Sequence, residues 1–184
     1  MTARRVVPGR QRAPAISIIV EEPGWRDDQE VIPAIRKAAR TALKTAAGLP
    51  INPAVSVLLA GDRRLQELNE TFRKRAKVTN VLSFPAPPEL APYLGDIALA
   101  YQIVGREAVE QRKTLSNHAA HLTVHAILHL LGYDHERPGE AAVMEQLEIS
   151  HLAGMGIGNP YLPVPVRNRA KRNRFKSCRI IRAR

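Results

Sequence analysis

Residues 125–135 read HAILHLLGYDH, and this stretch constrains the fold more than any other. The chain has six histidines, and three of them stand here at offsets of zero, four and ten. On an α-helix an offset of four carries a side chain about 40° past one full turn and roughly 6 Å along the axis. His125 and His129 therefore project from one face, at a separation that two ligands of a single ion can span. Gly132 can take positive φ and end the helix. The chain then turns back and presents His135 from outside it. Three neutral imidazoles with a fourth position open is a catalytic zinc arrangement, whereas a structural site is closed. A histidine-rich helix with no ligand is the plain alternative, and the glycine between the second and third histidines argues against it.

The rest of the chain supplies a sheet and helices to carry that segment. ISIIVEE (16–22), AVSVLLAG (54–61), TNVLSFP (79–85) and GDIALA (95–100) read as four strands. Residues 28–48 carry Val31, Ala34, Ile35, Ala38, Ala42 and Leu43 at helical spacing and end at Gly48. Asp62 is placed as the N-cap of a helix over 63–73 with Leu65 and Leu68 inward. A long helical stretch follows over 104–131, with a break expected near Ser116. A last amphipathic helix turns Val143, Leu147 and Ile149 or Leu152 inward. The Pro-rich FPAPPELAPYLG reads as a surface loop. Strands and helices are intermixed, which predicts an α+β fold: a small mixed β-sheet packed against helices.

Charge divides the chain into three parts. Residues 167–184 hold nine Lys or Arg and no acid, and the first fourteen add Arg4, Arg5, Arg10 and Arg12. Setting both ends aside leaves 15 basic against 17 acidic residues. The expected organisation is a basic segment over 1–14, a near-neutral domain over 15–163 and a basic tail over 164–184. Such ends attract polyphosphate electrostatically, or serve only as solubilising extensions. A single cysteine, Cys178, permits no intramolecular disulfide, which fits a reducing compartment. No run approaches the roughly 20 apolar residues of a membrane span, and the N-terminus lacks a signal-peptide core. The expectation is a cytoplasmic protein with no membrane partner.

The spacing H-x-x-x-H-x-x-G-x-x-H matches that of the metzincin proteases, so the helix is metzincin-like and zinc-binding in pattern. Those proteases place a glutamate base after the first histidine. Ala126 stands there in this chain, and alanine cannot take a proton.

HLTVHAILHLLGYDH (121–135) resembles the signature of the YbeY family of single-strand endoribonucleases. LNETFRKRAKVTNVLSFP (68–85), LGDIALA (94–100), EAVEQRKTLSNHAAHL (107–122) and NPY (159–161) follow the same family in the same order. The chain departs from it at Ala126, commonly glycine, and at KRAKVT (74–79), often GKDKPT in the family. The resemblance implies one zinc or other divalent ion on His125, His129 and His135, with Arg73 facing the metal cleft. It also implies a metal-dependent endoribonuclease of single-stranded RNA that matures the 3′ end of 16S ribosomal RNA and serves ribosome quality control. The implied partners are ribosomal RNA and the small ribosomal subunit.

Other residues stay open at this level. His121 is either the partner for a ligating imidazole's second N–H or a packing residue, since such ligands donate to a neighbour. Asp134 and Asp96 are candidates for orienting ligands or substrate, and Asp96 equally for capping its loop. His118 and His151 read as core residues. The nucleophile is left between water and the ribose 2′-hydroxyl. A metalloprotease and a non-catalytic RNA-binding ribosome assembly factor are the competing readings.

Overall fold

The computed structural model describes residues 13–45 and 50–162. The expected helix end at Gly48, the four N-terminal arginines, the tail from 167 and Cys178 lie outside the described residues.

Four strands form one sheet: β1 (Ala15–Val20), β2 (Ala54–Ala60), β3 (Val81–Pro85) and β4 (Tyr93–Ala100). Their order is β1-β2-β4-β3. β1, β2 and β4 run parallel, and β3 closes the far edge antiparallel to β4. Val57 sits between Ile18 of β1 and Ile97 of β4, while Ser83 pairs with Ile97 from the other side. The sheet is mixed and small, and with five α-helices among the described residues the α+β expectation holds.

Alternation along the strands sorts the apolar side chains onto two faces. Val55, Val57 and Leu59 of β2 join Ile97 and Leu99 of β4 on the face covered by α1 (Val31–Thr45) and α4 (Leu115–Leu130). Ala60, Ala98, Ala100 and Leu82 face the other way, against Leu65 of α2 (Asp62–Arg73). The helices α3 (Tyr101–Glu110) and α5 (Pro138–Ala153) complete the layer around α4.

The helix bearing two of the histidines is the buried centre of the fold. Ala119, Leu122, Ala126 and Ile127 pack into the cluster under the sheet. Ala120, Val124 and Leu128 face Ala38 of α1 and Met144 and Leu152 of α5. A helix apolar nearly all round stays only where neighbours cover it on every side. His125 and His129 are thereby mounted on the best-supported element of the protein.

Two local expectations are corrected, and a third holds. Asp62 does not cap its own helix, whose N-cap is Gly61 with no side-chain bond. Its carboxylate instead accepts the Ile103 N–H of α3 at 2.9 Å, while the Asp62 N–H donates to Gln102 Oε1 at 2.9 Å. Two helix starts thus cap each other across space, an exchange that local sequence order does not signal. The long helical stretch does break near Ser116, as expected. α3 ends at Glu110, Arg112 takes φ 55°, and Thr114 caps α4 by accepting the Asn117 N–H at 3.1 Å. In α5 the inward stripe is Met144, Glu148, His151 and Leu152, whereas Val143 is exposed. Leu147 and Leu152 do turn inward as expected, and it is Val143 that the apolar pattern misplaces, because the inward face includes a carboxylate.

Candidate metal centre

α4 ends in the turn that the glycine between the histidines requires. Leu131 is the C-cap, and Gly132 takes φ 86°. The Gly132 N–H donates to His129 O and the Tyr133 N–H to Leu128 O, both at 3.0 Å. This pair of bonds is a Schellman motif, whose left-handed residue suits glycine. A Cβ on Gly132 would meet nothing within 4 Å, so it is φ and not space that selects glycine here. The reversal brings His135 back over the end of α4.

The three histidines converge. One ring nitrogen from each of His125, His129 and His135 lies within 4.8 Å of the others. His125 Nε2 and His129 Nε2 are 3.1 Å apart. The opposite nitrogen of His125, Nδ1, is 2.8 Å from Glu148 Oε1. An ionised carboxylate only accepts, so Nδ1 carries the proton and Nε2 offers its lone pair to the centre. Burial first, then the neighbouring His125 and His135, hold His129 below the ordinary imidazole value. With the His125 Nε2 lone pair aimed at His129 Nε2, either a proton on His129 or a shared cation must join the two nitrogens at this distance. The donor set therefore fits a divalent ion that accepts imidazole nitrogen.

Glu148 is the residue that sequence reasoning missed. It is 1% exposed, yet it accepts from His121 Nε2 at 2.6 Å, His125 Nδ1 at 2.8 Å and Tyr161 Oη at 2.6 Å. Burial raises its carboxyl, but the bonds from His121, His125 and Tyr161 outweigh that and lower it to about 2. Burial and the bond to Glu148 push the Tyr161 phenol up. The second N–H of His125 therefore goes to Glu148 and not to His121, which reaches the same carboxylate through its own Nε2. Phasing α5 on Met144 and Leu152 would have revealed a charge at an inward position four residues after Met144.

An open cleft of about 510 Å³ surrounds the histidines, walled by Arg73, Arg75, Asn80, Ser83, Ala126 and Asp134 among others. Arg73 comes from the last turn of α2, and its Nη2 donates to Ser83 O at 3.2 Å. Ala126, the residue after the first histidine, is 1% exposed beneath the cleft and offers only a methyl there. Asp134 belongs to this wall and accepts the His135 N–H at 2.7 Å. Asp96 does not, because it lines the groove on the other sheet face and bonds Tyr93 Oη. His118 and His151 are buried.

A family model described as Endoribonuclease YbeY matches residues 25–156. The chain belongs to the endoribonuclease YbeY family. Endoribonuclease YbeY of Chelativorans sp. (strain BNC1) is 41% identical over 163 residues, covering 85% of this chain and 99% of that one. The same-named protein of Allorhizobium ampelinum is 43% identical over 162 residues, covering 82% and 97%. A Thermotoga maritima protein with a solution structure shares 25% identity at a TM-score of 0.51, covering 77% of this chain and 91% of its own. The YbeY relatives are matched along nearly their whole length, so the resemblance read from the histidine signature extends across the domain.

Proposed function

We propose a specific role for a chain that family membership makes a metal-dependent endoribonuclease: cleavage of single-stranded ribosomal RNA at a zinc held by His125, His129 and His135. The finer reading is maturation of the 3′ end of 16S ribosomal RNA, with a part in ribosome quality control, on the small subunit in the cytoplasm. Among the described residues no helix is long and apolar enough to cross a membrane.

The observation that supports this most is the meeting of three imidazole donors and Arg73 in one cleft. A divalent ion there would polarise a phosphoryl oxygen and make a bound water acidic near neutral pH. Glu148 would hold the His125 ring with Nε2 aimed at the ion, as partners of ligating histidines do. Arg73, tethered by Ser83 O, would use its remaining N–H groups on the charge that develops on phosphate. Ala126 supplies no base, which disfavours peptide hydrolysis. The basic ends would add phosphate attraction without sequence preference.

The test offers single-stranded RNA and casein to one zinc-loaded preparation. RNA cleavage without proteolysis is expected, and proteolysis without RNA cleavage would overturn the reading. RNA binding with neither activity would favour a non-catalytic assembly factor.

A further inference from the structure

Asn80 stands one residue before β3 and lines the cleft that holds the histidines. Its amide nitrogen donates to both oxygens of Glu107 on α3, at 3.1 and 3.0 Å. Because a carboxylate only accepts, the nitrogen must face Glu107, and the amide cannot turn round. Glu107 is itself anchored from behind by His118 Nε2 at 2.7 Å, a side chain 3% exposed. The Asn80 main chain is fixed as well, since its carbonyl takes the Ala100 N–H at 2.9 Å.

One polar atom of that side chain is left over. Asn80 Oδ1 has no partner among the described residues and is not among the buried polar atoms. The His118–Glu107 pair thus presents a bare hydrogen-bond acceptor at the wall of a cleft whose other contributors include Arg73 and Arg75. The arginines suit phosphate, but an amide oxygen does not, because an ionised phosphodiester has no proton to offer. On an RNA strand the donor nearest each phosphate is the ribose 2′-hydroxyl, carried on the carbon beside the one that bears the 3′ oxygen. DNA has none, and this hydroxyl is what lets a protein distinguish the two.

We propose that Asn80 Oδ1 accepts a hydrogen bond from a ribose 2′-hydroxyl of the strand in the cleft, and that this contact lets the enzyme select RNA over DNA. Glu107 and His118 are positioning residues: they fix which end of the amide faces the strand. An amide oxygen is too weak a base to keep the proton, so Asn80 reads the hydroxyl and leaves the chemistry to the metal side of the cleft. The inference rests on the RNA reading above and adds the atom through which the sugar is recognised.

The test uses zinc-loaded, full-length protein and a labelled single-stranded RNA, displaced by unlabelled RNA, 2′-fluoro RNA or DNA of one sequence and followed by polarisation. Fluorine keeps an RNA-like sugar pucker but cannot donate. Wild-type protein is expected to bind RNA roughly five- to tenfold more tightly than 2′-fluoro RNA, the worth of one hydrogen bond. Asn80→Ala should bind the two alike, with metal content unchanged. Glu107→Gln, with an amide in place of the carboxylate, frees Asn80 to turn and should lose most of the preference. An Asn80→Ala protein that keeps the wild-type preference, or weakens for both competitors equally, would overturn the proposal. A folded Glu107→Gln protein with the full preference would overturn the positioning role. Wild-type protein that binds RNA without cleaving it would refute the endoribonuclease reading, while the competitor ratio would still decide the role of Asn80.

Discussion

Glu148 Oε1 and His125 Nδ1 meet at 2.8 Å, joining α5 to α4 behind the histidine cluster. The bond fixes the tautomer of His125 and turns its free nitrogen towards His129. Glu148→Gln keeps the shape but turns an N–H₂ group on one of three donors. Metal affinity should fall about 10- to 100-fold, as for other partners of ligating histidines. Competition with a chelator measures this directly, and unchanged affinity would remove Glu148 from the site.

The same carboxyl gives a pH signature in metal-free protein. Its pKa is lowered from 4.5 to about 2 in the fold. A depressed folded value stabilises the protein fully above the unfolded value and loses that stabilisation as pH falls towards the folded one. Denaturant midpoints of wild type and Glu148→Gln should therefore differ at pH 6 and converge as pH drops from about 4.5 towards 2. A constant gap would show that the carboxyl is not held ionised.

Lys74 ends α2 at φ 56°, in the left-handed region. A lysine adopts this conformation at a cost that glycine would not bear. The Lys74 N–H still bonds Glu70 O, and buried Asn69 holds the following loop through Lys77 O at 2.6 Å. Lys74→Gly should stabilise the protein by about 0.5–1 kcal/mol, after the extra chain entropy of glycine is counted. Thermal unfolding checks this, and a lowered midpoint would mean the lysine is not strained.

Much of this was legible in the sequence because it is written in local periodicity. The four strands, the helix through His125 and His129 and the glycine turn to His135 all follow from spacing and one φ requirement. What escaped depends on distant residues. Glu148 reads as one more surface acid of α5 until Met144 and Leu152 set the phase of the helix. Asp62 looks like a cap for the helix it begins, yet it caps α3, some forty residues on. Asn80 and Glu107 lie in separate segments, 68–85 and 107–122, and only the fold brings α3 against the residue before β3 and exposes their pairing. Asp96 has the charge of a site residue, yet strand alternation puts it on the opposite face.

Arg73 supplies charge to the cleft but no ligand to the ion. Arg73→Ala should keep its metal and lose about 10²- to 10³-fold in RNA turnover, the range for removal of one preorganised donor to a developing anion. Metal analysis and single-turnover cleavage, run on the same preparation, separate the two effects. Full turnover would return Arg73 to an ordinary surface arginine anchored on Ser83.

The central claim is that the three histidines hold the ion on which RNA cleavage depends. Its most direct test is metal content and single-stranded RNA cleavage measured together on wild type, chelator-stripped, zinc-restored and His129→Ala protein. About one equivalent of metal is expected in wild type, with activity lost on stripping and regained with zinc. His129→Ala should hold far less metal and stay inactive when zinc is added at the restoring concentration. Stoichiometric metal and undiminished cleavage in that variant would contradict the account.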